Sequence, residues 1–262
     1  MTLAWQDLRL RWRSNLVWAI ALVLLALMIH GLYPSLADQP GLDDYYQSLP
    51  PELQALLGAS DITSPVGYLN SQWFAFFLPA VLLVLAIGRG AATVAGEEEA
   101  HTLDLLLAQP LTRASLFVQK AVAVAIVLIG LVVVSWIPLL LLNNAVGYDL
   151  PLSDQFAVHV QMLFFLFLFA VGAQTVSAVF GSKAAGIAAA SAVAFVGYLV
   201  DGLGKAIDWL EPFRPFTPWR WYIGEDPLAN GVDWVGIAVL AGATAVLLLV
   251  GVWGFNRRQL RA

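Results

Sequence analysis

The sequence predicts an all-α polytopic membrane protein with six transmembrane helices. Of its 262 residues, 60% are apolar and only 12% are charged, whereas about a quarter of the residues in a soluble domain are charged. Six apolar runs are long enough to cross about 30 Å of hydrocarbon, which takes about 20 helical residues. Strands of a membrane barrel would instead be about ten residues long with alternating polarity. The whole chain, residues 1–262, is expected to form one membrane domain.

The six predicted spans are separated by connections of very different length. Arg89 in the second span and Lys120 in the third lie near one end of their helices, where a long side chain can reach the lipid headgroups. Neither residue therefore argues against a span. The approximate limits are residues 15–32, 73–95, 116–142, 156–180, 184–203 and 232–255.

Basic residues concentrate on one side of the predicted bundle. If the N-terminus is cytosolic, ten of the thirteen Lys and Arg residues, but only 5 of the 18 acidic residues, fall on the cytosolic side. An excess of Lys and Arg marks the cytosolic side of a membrane protein. Both termini are therefore expected in the cytosol. The net charge of −5 gives no indication of nucleic-acid binding, and none is expected.

The N-terminal residues are predicted to form an amphipathic helix, residues 1–14, on the inner leaflet. Trp5, Leu8 and Trp12 recur at helical spacing, with charged residues on the opposite face. A cleavable signal peptide is the alternative, because basic residues precede an apolar run. That run spans 18 residues and exceeds the core of about 7–15 residues of a leader, so we expect a retained first span.

Two outer segments are expected to cover the bundle. The connection over residues 33–72 is long enough to cap it. The segment between the fifth and sixth spans contains four prolines and many aromatic residues. Trp and Tyr favour the headgroup layer and Pro interrupts helices, which predicts a re-entrant or interfacial segment; a disordered loop is the alternative. The fifth span is rich in small residues, which indicates close helix packing within the subunit or across a dimer.

A polar stretch after the second span, AGEEEAHTLDLLLAQPLTR (residues 95–113), interrupts the apolar chain. Thr102 is a suitable N-cap, Asp104 favours the first turn, and Pro110 ends the helix. A helix of about six residues is not stable alone, so its leucine face needs a second protein surface; folding back onto the bundle is the alternative. The predicted docking residues are Glu97, Glu98, Glu99, Thr102, Leu103, Asp104, Leu106, Leu107, Pro110 and Arg113.

The same stretch resembles the signature of the type-2 permease family of ATP-binding-cassette exporters. The family pattern is approximately G-E-[RK]-E-x-G-T-L-[DE]-x-L-L-x-x-P-[LIV]-[ST]-R-x-x-[LIVF]-x-x-x-K, and it matches in order from Gly96 to Lys120. Two positions depart: Glu98 replaces a base, and Ala100 and His101 replace a common Lys-Gly pair. These departures suggest a docking surface suited to a more basic partner. The layout of six spans is similar too, so the resemblance covers the whole chain.

The resemblance implies a permease subunit that works with a separate ATPase. The stretch would belong to the coupling region that contacts two nucleotide-binding subunits, which would hold ATP and Mg²⁺. A second membrane domain, expected to be an identical copy, would complete an exporter in the prokaryotic plasma membrane. The sequence itself contains no complete P-loop, because Ala206 follows the lysine of GLGKA where Ser or Thr is required. We therefore expect no catalytic or metal-binding residue in this chain.

The second span also suggests the nature of the cargo. No ring of charges is present to hold an ionic substrate, which favours an amphipathic or hydrophobic drug, antibiotic, peptide or lipid-like molecule. Aromatic side chains of this span are expected to line the cargo cavity. They are Trp73, Phe74, Phe76 and Phe77.

Other function classes stay open at this point. A secondary transporter or channel is one, because Arg89, His159, Gln161 and Gln174 place polar groups in or near the spans, although neither an inverted repeat nor a mid-membrane carboxylate is evident. A permease-like subunit of a maturation or lipid-handling complex is another. A membrane-embedded hydrolase would need a catalytic motif such as H-E-x-x-H, which the sequence lacks. The sequence also contains no cysteine.

Overall fold

The computed structural model describes residues 9–57, 61–102 and 112–258. These ranges are helical and contain no strand, and six of their helices are long and apolar enough to cross a membrane. The predicted all-α fold with six spans is confirmed. The six helices are α1 (Trp12–Ala37), α4 (Pro65–Ala92), α6 (Arg113–Leu142), α7 (Leu152–Phe180), α8 (Lys183–Leu203) and α12 (Trp234–Arg257).

Shorter helices connect these spans within the described ranges. They are α2 (Leu42–Gln47), α3 (Pro51–Leu57), α5 (Ala95–Glu99), the 3-10 helix α9 (Glu211–Phe216), α10 (Pro218–Ile223) and α11 (Pro227–Asn230). We call the end of the bundle that carries α5 the inner end, following the side that the basic residues predict to be cytosolic, and the opposite end the outer end. Most of the predicted N-terminal helix, residues 1–8, lies outside the described residues, and the organisation as one domain stays a prediction.

The second span, α4, begins earlier than the sequence predicts. Its N-terminus is capped by Ser64, whose hydroxyl accepts a hydrogen bond from the backbone N–H of Gly67 at 3.1 Å. The residues Leu69–Phe77 are π-helical, a form often found at functional sites. Within this stretch, Asn70 Nδ2 donates to Asp226 Oδ1 at 2.7 Å. This hydrogen bond gives the amide group of Asn70 a protein partner, so the helix extends beyond the apolar run.

The helix α7 lies at the centre of the bundle. Its apolar window is 61% buried, against 22% for α12, and it packs against α4, α6, α8 and α12. Two of its buried polar side chains bond to neighbouring spans: Gln174 donates to Phe117 O at 2.8 Å and Thr175 to Leu247 O at 2.9 Å. These polar groups therefore contribute to helix packing, since each one satisfies a main-chain carbonyl.

The outer segment between α8 and α12 folds back into the bundle, as predicted for a re-entrant segment. Trp219 Nε1 donates to Ala194 O, near the middle of α8, at 2.9 Å. Tyr222 donates its hydroxyl to Phe74 O at 2.8 Å, and its ring stacks on Phe165 with centroids 4.7 Å apart. The prolines interrupt the helix, and the aromatic rings then fill the space between α4, α7 and α8.

Close packing of α4 on α7 requires a glycine. A Cβ atom at Gly90 would lie 2.0 Å from Ala170 O, whereas one at Gly88 would meet nothing within 4 Å. Gly88 and Gly90 lie two residues apart on the same helix, and only Gly90 faces α7 closely. Alanine substitutions at the two positions therefore make a matched pair for testing this contact.

We predict that Gly90→Ala lowers the free energy of unfolding by about 1–3 kcal/mol, because the added methyl group must push two helix backbones apart. Gly88→Ala should leave stability unchanged or slightly higher, since Ala favours helix. Thermal unfolding in detergent measures both effects. Equal melting temperatures for the two variants would contradict the close contact.

Candidate functional site: the inner glutamate cluster and the membrane cavity

Three adjacent carboxylates at the inner end form the first candidate site. We call Glu97, Glu98 and Glu99 the glutamate cluster. They lie on α5, the short helix that follows α4 after a turn, and each carboxylate bonds to a different neighbouring element of the same chain. The sequence predicts contacts between these residues and an ATPase. The structure gives them intramolecular partners, and their contact with an ATPase stays a prediction.

Glu97 pairs with Lys120 of α6. The ammonium lies 2.8 Å from Glu97 Oε1, with side-chain exposures of 7% for Lys120 and 22% for Glu97, and the Thr102 hydroxyl donates to the other carboxylate oxygen. Burial acts to raise the pKa of Glu97, but the hydrogen bonds from Lys120 and Thr102 and the positive charges of Lys120 and Arg11 outweigh it and lower the pKa. The lysine predicted to reach the headgroups instead pairs with this carboxylate.

Glu98 pairs with Arg258, which directly follows α12. The side chains are only 10% and 14% exposed. Arg258 also donates to Ala178 O on α7 at 2.8 Å, and its own carbonyl accepts from Arg113 of α6 at 2.7 Å. Gly181, at φ 64°, leaves room for this guanidinium, because a Cβ there would lie 2.1 Å from Arg258 Nη2. Arg258 thus joins α5 to three spans, α6, α7 and α12.

Glu99 contacts the fifth span. Its carboxylate accepts a hydrogen bond from the backbone N–H of Lys183, the first residue of α8, at 3.0 Å. A carboxylate is favourable at a helix N-terminus, where backbone N–H groups lack helical partners. The chain then turns at His101, whose φ is 55°. This is the left-handed region that favours glycine, which gives a physical reason for the Gly that the family pattern carries at this position.

The remaining predicted docking residues divide into two groups. Arg113 is half-buried, and it donates to Phe255 O at 3.3 Å as well as to Arg258 O. It therefore binds the end of α12, and its contact with an ATPase stays a prediction. The other predicted residues lie outside the described residues. They are Leu103, Asp104, Leu106, Leu107 and Pro110.

The second candidate site is an apolar cavity of about 350 Å³ between α4 and α8. Phe76 and Leu83 line it from α4, Phe195 and Tyr198 line it from α8, and Trp219 of α10 also lines it. Phe76 and Phe195 are 50% and 64% exposed. The cavity thus opens on the surface of the subunit and is large enough for part of a hydrophobic molecule.

The four aromatic residues predicted to line a cargo cavity occupy different environments. Phe76 lines the cavity between α4 and α8. Trp73 and Phe74 are fully buried inside the subunit, where Phe74 packs edge-on against His159 with centroids 5.3 Å apart. Phe77 is partly buried and packs against the core. The role of these residues in cargo binding stays a prediction.

Comparison with known proteins identifies the family. A family model described as ABC-2 family transporter protein matches residues 1–260. The chain belongs to the ABC-2 transporter family. A comparison with curated proteins found no match.

Membership of the ABC-2 family confirms the resemblance seen in the sequence. The chain is a multi-pass membrane permease, a component of a transporter and not itself a catalyst. The family also implies a partner subunit that binds ATP. The glutamate cluster lies within the stretch, residues 96–120, that carries the resemblance to the family signature, and its role in coupling stays a prediction.

The sequence does not predict which residues of the same chain bond to the glutamate cluster. Arg258 is 160 residues from Glu98, and nothing in the local pattern connects them. One indirect signal exists: an acid at position 98 replaces the usual base of the family. In this chain Arg258 supplies a base beside Glu98.

We predict that Glu98→Arg and Arg258→Glu each lower the free energy of unfolding by about 3 kcal/mol, because each leaves like charges together in a site largely closed to solvent. The double variant Glu98→Arg with Arg258→Glu should recover at least half of the loss, since it restores an ion pair. Thermal unfolding of the four proteins gives the coupling energy. Additive effects of the two reversals would contradict the pair.

We further predict that acid removes the stabilisation contributed by Glu97. Its pKa is lowered on folding, so the contribution is present above the ordinary value of 4.5 and is lost as pH falls through the lower folded pKa. The melting temperature should therefore show no loss from this group above pH 4.5 and should fall as the pH is lowered below that value. In the variant Glu97→Gln with Lys120→Met, which removes both charges, the fall should be smaller. An identical pH dependence in both proteins would contradict this assignment.

Proposed function

We propose that this ABC-2 permease is the membrane-spanning subunit of an ATP-driven exporter of hydrophobic or amphipathic cargo. The observation that carries the proposal is the family match over residues 1–260, together with the coupling signature in residues 96–120. A drug, antibiotic, peptide or lipid-like molecule is the proposed cargo class. The direction of transport is proposed from the resemblance to exporters.

The proposed energy source is a separate ATPase, present in two copies that bind ATP and Mg²⁺. The proposal rests on the family's implied ATP-binding partner and on the incomplete P-loop of the chain. The leucines of the coupling segment, Leu103, Leu106 and Leu107, would provide the apolar contact with that subunit. A basic surface on the ATPase is not required to neutralise Glu98, because Arg258 already pairs with it.

The glutamate cluster is the proposed route of the conformational change. A displacement of residues 103–111 acts first on α5 and Thr102. Through Glu97, Glu98 and Glu99 it then acts on α6, on the end of α12 and on the start of α8. Since α4 leads into this segment through a turn, both helices that line the apolar cavity, α4 and α8, would move with it.

The cavity between α4 and α8 is the proposed site of cargo. Ser191 is a small polar group on an otherwise apolar and aromatic wall that includes Phe76 and Trp219, and such a wall suits a hydrophobic molecule better than an ion. The exposed side of this cavity would face a second permease copy. In support, α8 and α1 are each only 28% buried within the subunit, which leaves apolar faces for a homodimer. The proposed location is the prokaryotic plasma membrane.

We predict that Leu106→Asp with Leu107→Asp abolishes ATP-dependent export while the permease stays folded, because charges replace the apolar docking face. The permease should be co-expressed with the stand-alone ATP-binding-cassette ATPase encoded nearest to it. ATP hydrolysis and export of a panel of amphipathic dyes are then measured in proteoliposomes. Leu152→Asp, at the exposed outer start of α7, is the control for an added charge. ATP-driven movement of small hydrophilic ions alone, or unchanged coupling in the leucine variant, would contradict the proposal.

A further inference from the structure

The outer helix α3 rests directly on the outer end of α8. A Cβ atom at Gly202 would lie 3.4 Å from Leu56 Cα and 3.8 Å from Ala55 O. Glycine therefore allows the backbones of the two helices to approach closely. The contact brings the connection between the first two spans to the helix that forms one wall of the apolar cavity.

Tyr198 connects this outer contact to the cavity. Its ring lines the cavity between α4 and α8, and its hydroxyl donates to Leu56 O at 3.0 Å. The ring also meets Trp219 edge-on, with centroids 5.2 Å apart, and Trp219 lines the same cavity. One side chain thus contacts both the space proposed for cargo and the backbone of the helix above it.

The contacts that hold α3 in place leave much of the helix exposed. None of its seven residues is fully buried, and Leu53 and Leu57 are 46% and 42% exposed. A helix of this length is not stable alone. It is joined to the preceding helix by Gln54, whose Nε2 donates to Gln47 O at 3.0 Å and to Leu49 O at 2.7 Å. Any movement of α3 away from α8 therefore carries α2 with it.

We propose that α3 is an outer gate of the apolar cavity and that the hydrogen bond from Tyr198 to Leu56 holds this gate shut. The proposal rests on the proposed function, because it assigns the exit of the same cavity. A hydrophobic molecule that fills the cavity presses on the Tyr198 ring. Rotation of that ring withdraws the hydroxyl from Leu56 O, so the occupant itself releases the gate toward the outside.

The first test measures access to the cavity without cargo or ATP. The chain contains no cysteine, so Ser191→Cys provides a single thiol in the cavity wall. Spheroplasts that express this variant are treated with a membrane-impermeant maleimide from the outside. Adding Tyr198→Phe should raise the labelling rate about fivefold, the effect expected from one lost hydrogen bond. Tyr45→Phe, at an exposed tyrosine of α2, is the matched control and should leave the rate unchanged. Equal labelling with and without Tyr198→Phe would overturn the proposal.

The second test closes the gate covalently. Leu56→Cys with Gly202→Cys places two thiols where the backbones already touch, and removal of the leucine side chain leaves room for a disulfide. In the complex with its ATPase, oxidation should reduce export of an amphipathic dye at least tenfold, and a reductant should restore it. Each single cysteine variant is a control. Full export by the oxidised protein would overturn the gate while leaving the proposed function intact.

The two tests separate failure of the gate from failure of the proposed function. Labelling needs neither an ATPase nor a cargo. If Tyr198→Phe raises labelling but the complex exports no amphipathic dye, the gate stands and the proposed cargo class fails. If export occurs but neither Tyr198→Phe nor the disulfide alters labelling or export, the gate is wrong.

Discussion

The pairing of three adjacent carboxylates with three other elements is the constraint on which the inner end depends. Glu97, Glu98 and Glu99 could all be solvated if the segment extended into water. Instead Glu97 and Glu98 lie against the bundle and pair with Lys120 and Arg258, while the exposed Glu99 accepts a hydrogen bond from the first N–H of α8. A charge removed from water is costly unless it is paired. The segment after α4 is therefore tied to several spans at once.

These attachments suit a segment that transmits a displacement from another subunit to the bundle. A short helix with one attachment would bend locally when displaced. With attachments to α6, α8 and α12, a displacement reaches the whole inner end together, because packed helices respond as rigid units. At its inner end, α4 leads into the glutamate cluster. Further out, the same helix lines the cavity, and its π-helical part contains Phe74, whose carbonyl accepts a hydrogen bond from Tyr222. One helix thus connects the glutamate cluster to the proposed cargo space.

The spans were predictable from composition, but their contacts were not. Apolar length alone identifies the six helices, since hydrocarbon thickness sets a minimum run. The start of α4 is not predictable in this way, because Asn70 and Ser71 look like loop residues. In the fold, the Asn70 amide group donates to Asp226 and the Ser71 hydroxyl donates to Gly67 O. Glu98 and Arg258 are distant in sequence, and only folding brings them together. The re-entrant segment was partly predictable. Its prolines and aromatic residues indicate an interrupted helix, but how far Trp219 reaches into the bundle depends on its contact with Ala194 of α8.

Hydrogen exchange of the backbone amides in residues 97–102 tests the central claim most directly. Amides of Glu98, Ala100, His101 and Thr102 donate to main-chain carbonyls, but a helix of five residues gives no protection alone. If the carboxylates hold the segment, these amides exchange slowly in the native protein and much faster when all three glutamates are replaced by glutamine. Fast exchange in the native protein, or equal exchange in both proteins, would contradict the account.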